Sequence, residues 1–343
     1  MKGLYSPLKI LITRFSSIGD IVLTTPVVRA LKEQTGAEVH YLTKSKFAGI
    51  LEPNPYIDRV WTIEKKVGEV AAELKAESFD YLVDLHHNLR TFQLGFYLRK
   101  SKKYSFDKLN WQKWLLTRWK INKMPDLHIV DRYMDTVGPL GVSNDRKGLD
   151  YFIRPEDRVN LASERLPTRY LAFVLGAAHA TKRMEEDQMA EFCKRWQQPI
   201  VLLGGPAEEA VGNRLSKLGD HVHNTCGRMR LGQSADLVRQ AQLVLTHDTG
   251  LMHIAAAFKK PILSVWGNTV PGFGMYPYLP GQEEIEKTSR QEVEGLSCRP
   301  CSKIGHDRCP KGHFRCMRDQ PISDMVAKLS LIWLAETGAP ING

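Results

Sequence analysis

Five short segments place polar and small residues directly after an apolar run, where they could meet a ligand. In the first, Ser17, Gly19 and Asp20 follow the apolar residues 8–13. Gly19 allows a ligand to approach the backbone closely, and the Asp20 carboxylate could act as a general base. A helix cap is an equally good explanation of Asp20, because aspartate is favoured at helix starts.

The second segment has the composition of a diphosphate-binding turn. Thr181 supplies a hydroxyl, and Lys182 and Arg183 supply adjacent positive charges ahead of a helical stretch. Backbone amides at a helix start and fixed cations both favour a bound anion. The segment is not a Walker loop, because the pattern G-x-x-x-x-G-K-[ST] is absent from it.

The third segment repeats this arrangement after Asp248. Thr249 and Gly250 place amide donors at a predicted helix start, and His253 follows one turn later, facing the same point. A histidine on an apolar helix is more often a packed core residue, so that explanation of His253 stays open.

The fourth segment ends in two acidic residues, Glu208 and Glu209. Their carboxylates could accept hydrogen bonds from the hydroxyls of a ribose. Acidic side chains also occur in first helical turns for electrostatic reasons alone. Both explanations of the pair stay open.

The fifth segment contains Asn88 and Arg90 and leads into a strongly basic stretch. Residues 90–123 carry ten basic side chains against the single acid Asp107, and this excess of +9 compares with a net charge of +10 for the whole chain. Such a local excess favours an anionic partner over a mixed, solvated face. Tryptophans interleave with these cations at helical spacing, which suits an interfacial helix on an anionic membrane or packing on their own domain. They are Trp111, Trp114 and Trp119.

Four of the six cysteines cluster in the last part of the sequence, at Cys298, Cys301, Cys309 and Cys316. The chain has no apolar run long enough to span a membrane and no secretion signal at its start, so we expect a cytoplasmic protein. In that compartment such a cluster suits a metal or free thiols better than disulfides. We predict a structural zinc at the four sulfurs, with free thiols as the alternative.

The elements that must position these segments form two series. In the first, strands are predicted at 8–13, 37–42 and 81–85, with a helix at 21–34 that ends near Gly36. In the second, strands are predicted at 170–175, 200–203, 243–246 and 261–266, with helices at 184–196, 207–218 and 251–258. This βαβ rhythm predicts an α/β fold of two doubly wound domains that face each other across a cleft. The domain limits are placed at 1–155 and 156–343, within a polar linker at 142–167.

The same segments together resemble the lipopolysaccharide heptosyltransferases, glycosyltransferase family 9. The likeness runs along nearly the whole chain and rests on ILITRFSSIGDIVLTTPVVRALK, DLHHNLRT, LGAAHATKRM, THDTGLMHIAAAFKKPILSVWGNT and the closing CRPC and CPKGHFRCM. The resemblance implies the GT-B fold, which has two Rossmann-like domains, and transfer that inverts the configuration at the anomeric carbon without a divalent metal. It also implies that the first domain binds the acceptor and the second the nucleotide sugar, while the last helix could pack back on the first domain.

The resemblance further implies roles for individual residues. Asp20 would be the general base, with Ser17 and Gly19 beside the substrate. Thr181, Lys182 and Arg183 would hold the diphosphate, and Lys182 would stabilise the leaving nucleotide. The donor's phosphates and sugar would lie among Asp248, Thr249, Gly250 and His253, and its ribose would contact Glu208 or Glu209. Asn88, Arg90 and the basic stretch would face the acidic acceptor.

The leading hypothesis is therefore an enzyme that transfers heptose from ADP-heptose to the lipid A–Kdo inner core of lipopolysaccharide. It would work at the inner face of the inner membrane, on an anionic surface and without nucleic acid. A related alternative is another nucleotide sugar or another surface glycan. The basic stretch could instead bind nucleic acid, although this leaves the phosphate-suited turns unexplained. A nicotinamide-dependent oxidoreductase is disfavoured because the glycine fingerprint G-x-G-x-x-G is missing after the first strand.

Overall fold

Two parallel β-sheets organise the protein. The computed structural model describes residues 7–281 and 288–338, and every structural statement below concerns those residues. Residues 1–6, on which the expectation of no secretion signal rests, lie outside the described ranges.

The described chain divides into two compact units. They are, first, the residues up to Leu109 together with Leu127–Phe152 and, second, Asn110–Asp126 together with the residues from Ile153 onward. The acceptor-binding role expected of residues 1–155 and the nucleotide-binding role expected of residues 156–343 stay predictions.

The first unit is built on five strands. They are β1 (Lys9–Thr13), β2 (Glu38–Lys44), β3 (Arg59–Ile63), β4 (Tyr81–Asp84) and β5 (Lys102–Ser105). All neighbours are parallel, in the order β3-β2-β1-β4-β5. The helices of this unit are α1 (Ile18–Val22), α2 (Thr25–Thr35), α3 (Ala48–Leu51), α4 (Ala71–Glu77), α5 (Leu89–Tyr97) and α7 (Ile129–Val137).

The single helix predicted at 21–34 is wrong, because the structure has two helices there. The helical segment starts three residues earlier than predicted, at Ile18, and is interrupted between Val22 and Thr25. Pro26 in the first turn of α2 has no amide hydrogen with which to continue α1, and its fixed φ suits a new helix start. Gly36, with φ of 64°, ends α2 in the left-handed conformation, as the sequence predicted.

The second unit is built on six strands. They are β6 (Leu171–Val174), β7 (Ile200–Leu203), β8 (Val222–Asn224), β9 (Leu243–His247), β10 (Ile262–Trp266) and β11 (Thr288–Glu292). All neighbours are parallel, in the order β11-β10-β9-β6-β7-β8. The helices of this unit are α6 (Asn110–Trp119), α8 (Glu186–Arg195), α9 (Glu209–Leu215), α10 (Leu231–Gln240), α11 (Gly250–Ala257), α12 (Arg315–Arg318) and α13 (Ile322–Thr337).

The central strands of both sheets are buried on both faces. Ile10, Leu11 and Ile12 of β1 have no exposed surface, and neither do Leu171 and Phe173 of β6. Parallel sheets bury both faces because their crossover helices cover them. The predicted α/β class with two doubly wound parallel sheets is confirmed.

Helix α13 joins the core of the second unit through one face. Met325, Leu329 and Trp333 are buried in the same cluster as Trp196 of the α8 region, and the rings of Trp196 and Trp333 meet edge to face at 5.8 Å. The expectation that this helix also reaches the first domain stays a prediction. No helix within the described residues, α13 included, is both long and apolar enough to cross a membrane.

We predict that two neighbouring leucines of α13 differ sharply in their contribution to stability. Leu329 is fully buried, whereas Leu331 is 72% exposed. Leu329→Ala should lower the free energy of unfolding by about 2–5 kcal/mol, because it removes buried methyl groups and leaves a cavity. The matched Leu331→Ala change should stay within about 0.5 kcal/mol of wild type in urea titrations followed by tryptophan fluorescence. Equal losses for the two variants would contradict this packing.

Candidate active site

The segments that carry candidate residues follow strands at or beside the points where strand order reverses. In the first sheet the chain runs outward from β1 to β3 and then returns to β4, on the other side of β1. The second sheet repeats this pattern with β6, β8 and β9. The loops after β1 and β4, and after β6 and β9, therefore lie beside a switch point, where open α/β sheets usually bind ligands.

Asp20 lies in the first turn of α1 and has three close polar contacts. One carboxylate oxygen is 2.6 Å from the Arg14 guanidinium. The other accepts hydrogen bonds from the Ser17 amide at 3.0 Å and from the Ser17 hydroxyl at 2.8 Å. Asp20 and Ser17 therefore also form a capping box, so the capping explanation and a chemical role are compatible.

Arg14 is held by contacts that are distant in sequence. Its guanidinium donates to the Leu85 carbonyl at 2.6 Å and to the Tyr133 hydroxyl at 3.1 Å, so it links β1, β4 and α7. Burial alone would raise the pKa of Asp20, but the Arg14 charge and the Ser17 hydrogen bonds outweigh it and lower that pKa. Asp20 is therefore an ionised carboxylate near neutral pH.

His86 is a residue of this site that the sequence did not single out. It follows β4, and its ring meets Phe15 edge to face at 5.3 Å. Burial, followed by the Arg14 charge, lowers the pKa of His86 to about 4, so its imidazole is neutral near pH 7. The two adjacent histidines in the sequence could have indicated a functional residue. The closeness of His86 to Arg14, however, depends on the pairing of β1 with β4.

Asn88 and Arg90 have structural partners in the described chain. The Asn88 side chain caps α5 by accepting from the Thr91 amide at 3.1 Å, and the Asn88 amide donates to the Thr91 hydroxyl at 2.9 Å. The Arg90 guanidinium donates to the Lys65 carbonyl at 3.1 Å. A substrate contact for either residue stays a prediction.

In the second unit, Lys182 and Asp248 come together from two adjacent loops. The Lys182 ammonium lies 2.6 Å from the Asp248 carboxylate, and both side chains are mostly buried. The Thr269 hydroxyl donates to the same carboxylate at 3.0 Å. Thr249 is the N-cap of α11, with Gly250 as its first residue, so the amide end of this helix lies next to the pair.

Thr181 is buried and connects its own loop to two others by hydrogen bonds. Its hydroxyl lies 3.0 Å from the Asn268 side-chain oxygen and accepts from the His306 amide at 2.8 Å. Its carbonyl accepts from the Asn268 amide at 3.3 Å. Gly267 is required beside it, because a Cβ at that position would stand 2.5 Å from the Thr181 carbonyl oxygen.

Arg183 and Glu208 form a second ion pair at the ends of β6 and β7. Their closest atoms are 3.1 Å apart, and Glu208 also accepts from the Gly205 amide at 3.0 Å. A Cβ on Gly204 would stand 2.7 Å from that of Glu208, so the glycine is needed for this approach. Glu209 begins α9 instead and does not share these contacts.

Two histidines of the second unit are buried. His253 lies inside α11 with 2% of its surface exposed, so the core explanation of this residue is compatible with its position. His247 is fully buried, and its Nε2 atom accepts from the Met184 amide at 3.0 Å. Burial, followed by the Arg183 charge, lowers the pKa of His247 to about 3, so it is a neutral acceptor.

A cavity of about 510 Å³ opens within the second unit. Thr181, Arg183 and Glu208 line it, together with apolar residues such as Met184 and Phe314. Its volume is in the range of small-molecule sites, and its lining combines apolar side chains with both acidic and basic ones. The Lys182–Asp248 pair does not line this cavity.

The four cysteines of the predicted zinc site surround one small cavity of about 10 Å³, together with His313. All are free thiols, and the Cys298 sulfur lies 3.7 Å from His313 Nε2. Burial, followed by the neighbouring thiols, raises the pKa of Cys316 to about 11. The neighbouring thiols therefore oppose the ionisation of Cys316, and a cation among the four sulfurs would reverse this effect.

A different group has the tightest arrangement of possible metal ligands within residues 7–281 and 288–338. Ligand atoms of Glu38, His40 and Glu77 lie within 4.8 Å of one another. The Lys9 ammonium already contacts Glu77 at 2.7 Å and Glu38 at 3.2 Å, and Trp61 donates to His40 at 3.0 Å. These partners balance the carboxylates without a metal.

Comparison with known proteins decides the family. Residues 67–300 match the family model described as glycosyltransferase family 9 (heptosyltransferase). The chain belongs to glycosyltransferase family 9. Lipopolysaccharide heptosyltransferase 1 of Pseudomonas aeruginosa is a similar curated protein, with 26% identity over 86% of this chain and 86% of its own length. The transferase activity implied by the sequence is confirmed by this membership.

Solved structures show the fold that this glycosyltransferase shares. A family 9 glycosyltransferase from Veillonella parvula superimposes with a TM-score of 0.76 at 21% identity, covering 96% of this chain and 98% of that one. An Escherichia coli heptosyltransferase with ADP gives a TM-score of 0.64 at 20% identity, covering 95% and 100%. The GT-B fold class is confirmed.

We predict that Arg14→Gln destabilises this glycosyltransferase in a pH-dependent way. The folded pKa of Asp20 lies below its unfolded value, so its stabilising effect is present above the unfolded value and is lost as pH falls through the folded one. Breaking the pair should lower the free energy of unfolding by about 2–4 kcal/mol near neutral pH. The loss should be smaller in acid, where Asp20 of the variant is protonated.

A double-mutant cycle with Asp20→Asn separates this pair from the other contacts of Arg14. Urea unfolding at several pH values would give the coupling energy. A coupling below about 0.5 kcal/mol near neutral pH would mean that the two charges do not stabilise each other.

Proposed function

We propose that this glycosyltransferase transfers heptose from ADP-heptose to the inner core of lipopolysaccharide. The donor and acceptor are suggested by similar proteins, which are named for lipopolysaccharide heptosyl transfer and, in one case, were solved with ADP. The observation that carries the proposal is the pairing of Lys182 with Asp248 beside the start of α11. This arrangement suits a diphosphate.

The proposed base is Asp20 of the first unit. Its carboxylate accepts the proton of the acceptor hydroxyl as that oxygen attacks the anomeric carbon, while the bond from this carbon to the diphosphate oxygen breaks. Because Arg14 keeps Asp20 ionised near neutral pH, the base is always in its reactive state. Ser17 caps the first turn of α1, in which Gly19 and the base lie, and its hydroxyl donates to the Asp20 carboxylate.

The proposed leaving-group site is in the second unit. Lys182, Arg183 and the amides of Thr249 and Gly250 stabilise the charge that develops on the diphosphate as ADP leaves. Lys182 exchanges its Asp248 partner, in whole or in part, for a phosphate oxygen. Thr181 keeps the loop of these cations in place through its bonds to Asn268 and His306.

The remaining roles are assigned by chemistry and position. Glu208, held by Arg183 and Gly205, is the better placed of the two glutamates to accept from ribose hydroxyls, because it lines the 510 Å³ cavity and Glu209 does not. His253 would be within the donor site at the first turn of α11. Asn88 and Arg90 would meet the acidic acceptor. The related alternative, another nucleotide sugar or glycan, shares all these roles except the choice of sugar.

We predict that purified protein releases ADP from ADP-heptose only when a truncated, lipid-linked core acceptor is present. Asp20→Asn keeps the size and the cap while it removes the base, and it should lower kcat by about 10²–10⁴-fold. Lys182→Met should lower kcat by about 10²-fold or more, because it removes charge stabilisation from the leaving group. ADP release and mass spectrometry of the product would measure both effects.

Matched variants separate chemistry from folding in this assay. Lys194→Met removes a lysine from the end of α8 and should leave kcat unchanged. Turnover with a different sugar nucleotide alone would exclude the heptose assignment and favour the related alternative. Full activity of Asp20→Asn would exclude Asp20 as the base.

We also propose that the four cysteines hold a structural zinc. A tetrahedral set of thiolates is a typical structural zinc site, and the four sulfurs already surround one cavity. No three of them lie within 4.8 Å of one another in the described structure, so binding would draw residues 298–316 together. The metal would brace the loop that carries His306, the partner of Thr181.

We predict about one zinc per chain in protein purified under reducing conditions, measured by plasma mass spectrometry. Cys301→Ser or Cys309→Ser should abolish zinc binding and lower Tm, because metal-binding energy contributes to the folded state. Cys226→Ala, outside the cluster, should retain the zinc. Metal-free wild type with unchanged Tm after zinc addition would contradict the proposal and leave free thiols.

A further inference from the structure

Helix α5 presents apolar residues on two opposite faces. Leu94 is fully buried in the core of the first unit. Leu89, Phe92 and Phe96 point the other way and are 82%, 74% and 75% exposed. Residues three and four positions apart share one side of a helix, so these three form one continuous surface, here called the α5 face. Apolar residues on the solvent side of a surface helix are unusual, because that side is normally polar.

Positive charge surrounds the α5 face along the chain. Arg99, Lys100 and Lys102 are exposed directly after the helix, and Arg90 lies in its first turn. Asp107 is the only acid between residues 90 and 123. Isolated exposed apolar residues are common on proteins, but a contiguous group within a single-sign charged stretch marks an interaction site.

We propose that the α5 face inserts into the interfacial region of an anionic lipid bilayer. Apolar rings flanked by basic side chains are the pattern with which peripheral proteins enter the boundary between headgroups and acyl chains. Transfer of the apolar side chains out of water favours binding, and so does the attraction of the basic side chains to the negatively charged membrane surface. The inference is connected to the proposed function only in that a lipid-linked acceptor lies at such a surface.

Helix α6 offers the natural comparison, since the sequence had suggested its tryptophans for the same role. Trp111 and Trp119 are 64% and 61% exposed, and Trp111 stacks on Trp114 at 5.0 Å. Two rings that stack on each other cover part of their own apolar surface. The three side chains of the α5 face have no such ring partner among the described contacts, and they are more exposed. The proposal therefore assigns insertion to α5.

The test uses full-length protein and flotation with lipid vesicles. Wild type should bind phosphatidylcholine vesicles that contain phosphatidylglycerol at least about tenfold more tightly than pure phosphatidylcholine vesicles, and added salt should weaken this binding. The double variant Phe92→Ser/Phe96→Ser should bind the anionic vesicles at least about tenfold more weakly than wild type, because the apolar insertion is lost. Its circular dichroism and Tm should match wild type, since both rings are already in water.

The matched control is Leu331→Ser/Leu334→Ser, which removes exposed apolar residues from α13 in the second unit. It should bind anionic vesicles like wild type. Unchanged binding of the Phe92/Phe96 variant would overturn the proposal. So would an equal loss in Trp111→Ser, equal affinity of wild type for both vesicle types, or a wild-type dimer in ultracentrifugation that the Phe92/Phe96 variant abolishes. The last outcome would assign the α5 face to a second copy of the chain.

Turnover keeps this inference separate from the proposed function. The Phe92/Phe96 variant should keep wild-type kcat/KM with a water-soluble, delipidated acceptor and lose activity only with the acceptor in vesicles. Vesicle binding needs no donor and no reaction. Failure of the heptose assignment would therefore leave the binding result intact, and loss of binding specificity would leave the chemistry intact.

Discussion

The buried pair of Arg14 and Asp20 is the interaction on which the first unit's site depends. Arg14 is anchored to the Leu85 carbonyl after β4 and to Tyr133 of α7, and it fixes Asp20 from there. A buried guanidinium without a carboxylate would lower the stability of the fold, and so would a buried carboxylate without a cation. Each charge therefore offsets the desolvation cost of the other. The same contacts thus connect β1, β4 and α7 of the first unit and fix the orientation of the proposed base.

The second unit also pairs cations with carboxylates, and under the proposed function a phosphate would replace each carboxylate. Lys182 and Arg183 are each paired with an acid, Asp248 and Glu208, which lie on different loops. The pairs keep the cations in fixed positions without a ligand, so little side-chain entropy would be lost if a phosphate bound there. A diphosphate must then compete with each carboxylate, which favours a doubly charged ligand over a single weak anion.

The elements predicted from the sequence are those at the centre of each sheet. All seven predicted strands are present within one or two residues, because central parallel strands are continuous apolar runs. The strands that were missed, β3, β5, β8 and β11, are the edges of the two sheets. Edge strands such as Lys102–Ser105 and Thr288–Glu292 are short or polar, and such residues prevent edge-to-edge association. Their sequences therefore carry no strand pattern.

The candidate site likewise contains residues that local sequence patterns indicate and contacts that only the folded chain reveals. Asp20, Lys182 and Thr249 could be selected as candidates because each lies in a segment that follows a recognisable strand. The long-range contacts of Arg14 and His86 could not be predicted from the sequence, because they join distant segments: two partners of Arg14, Leu85 and Tyr133, are 71 and 119 residues away. The same limit explains α5, whose composition suggests an ordinary amphipathic helix until the sheet shows which side Leu94 occupies. Once that side is fixed, Phe92 and Phe96 must face away from the core, and this exposed apolar surface is the one proposed to enter the bilayer.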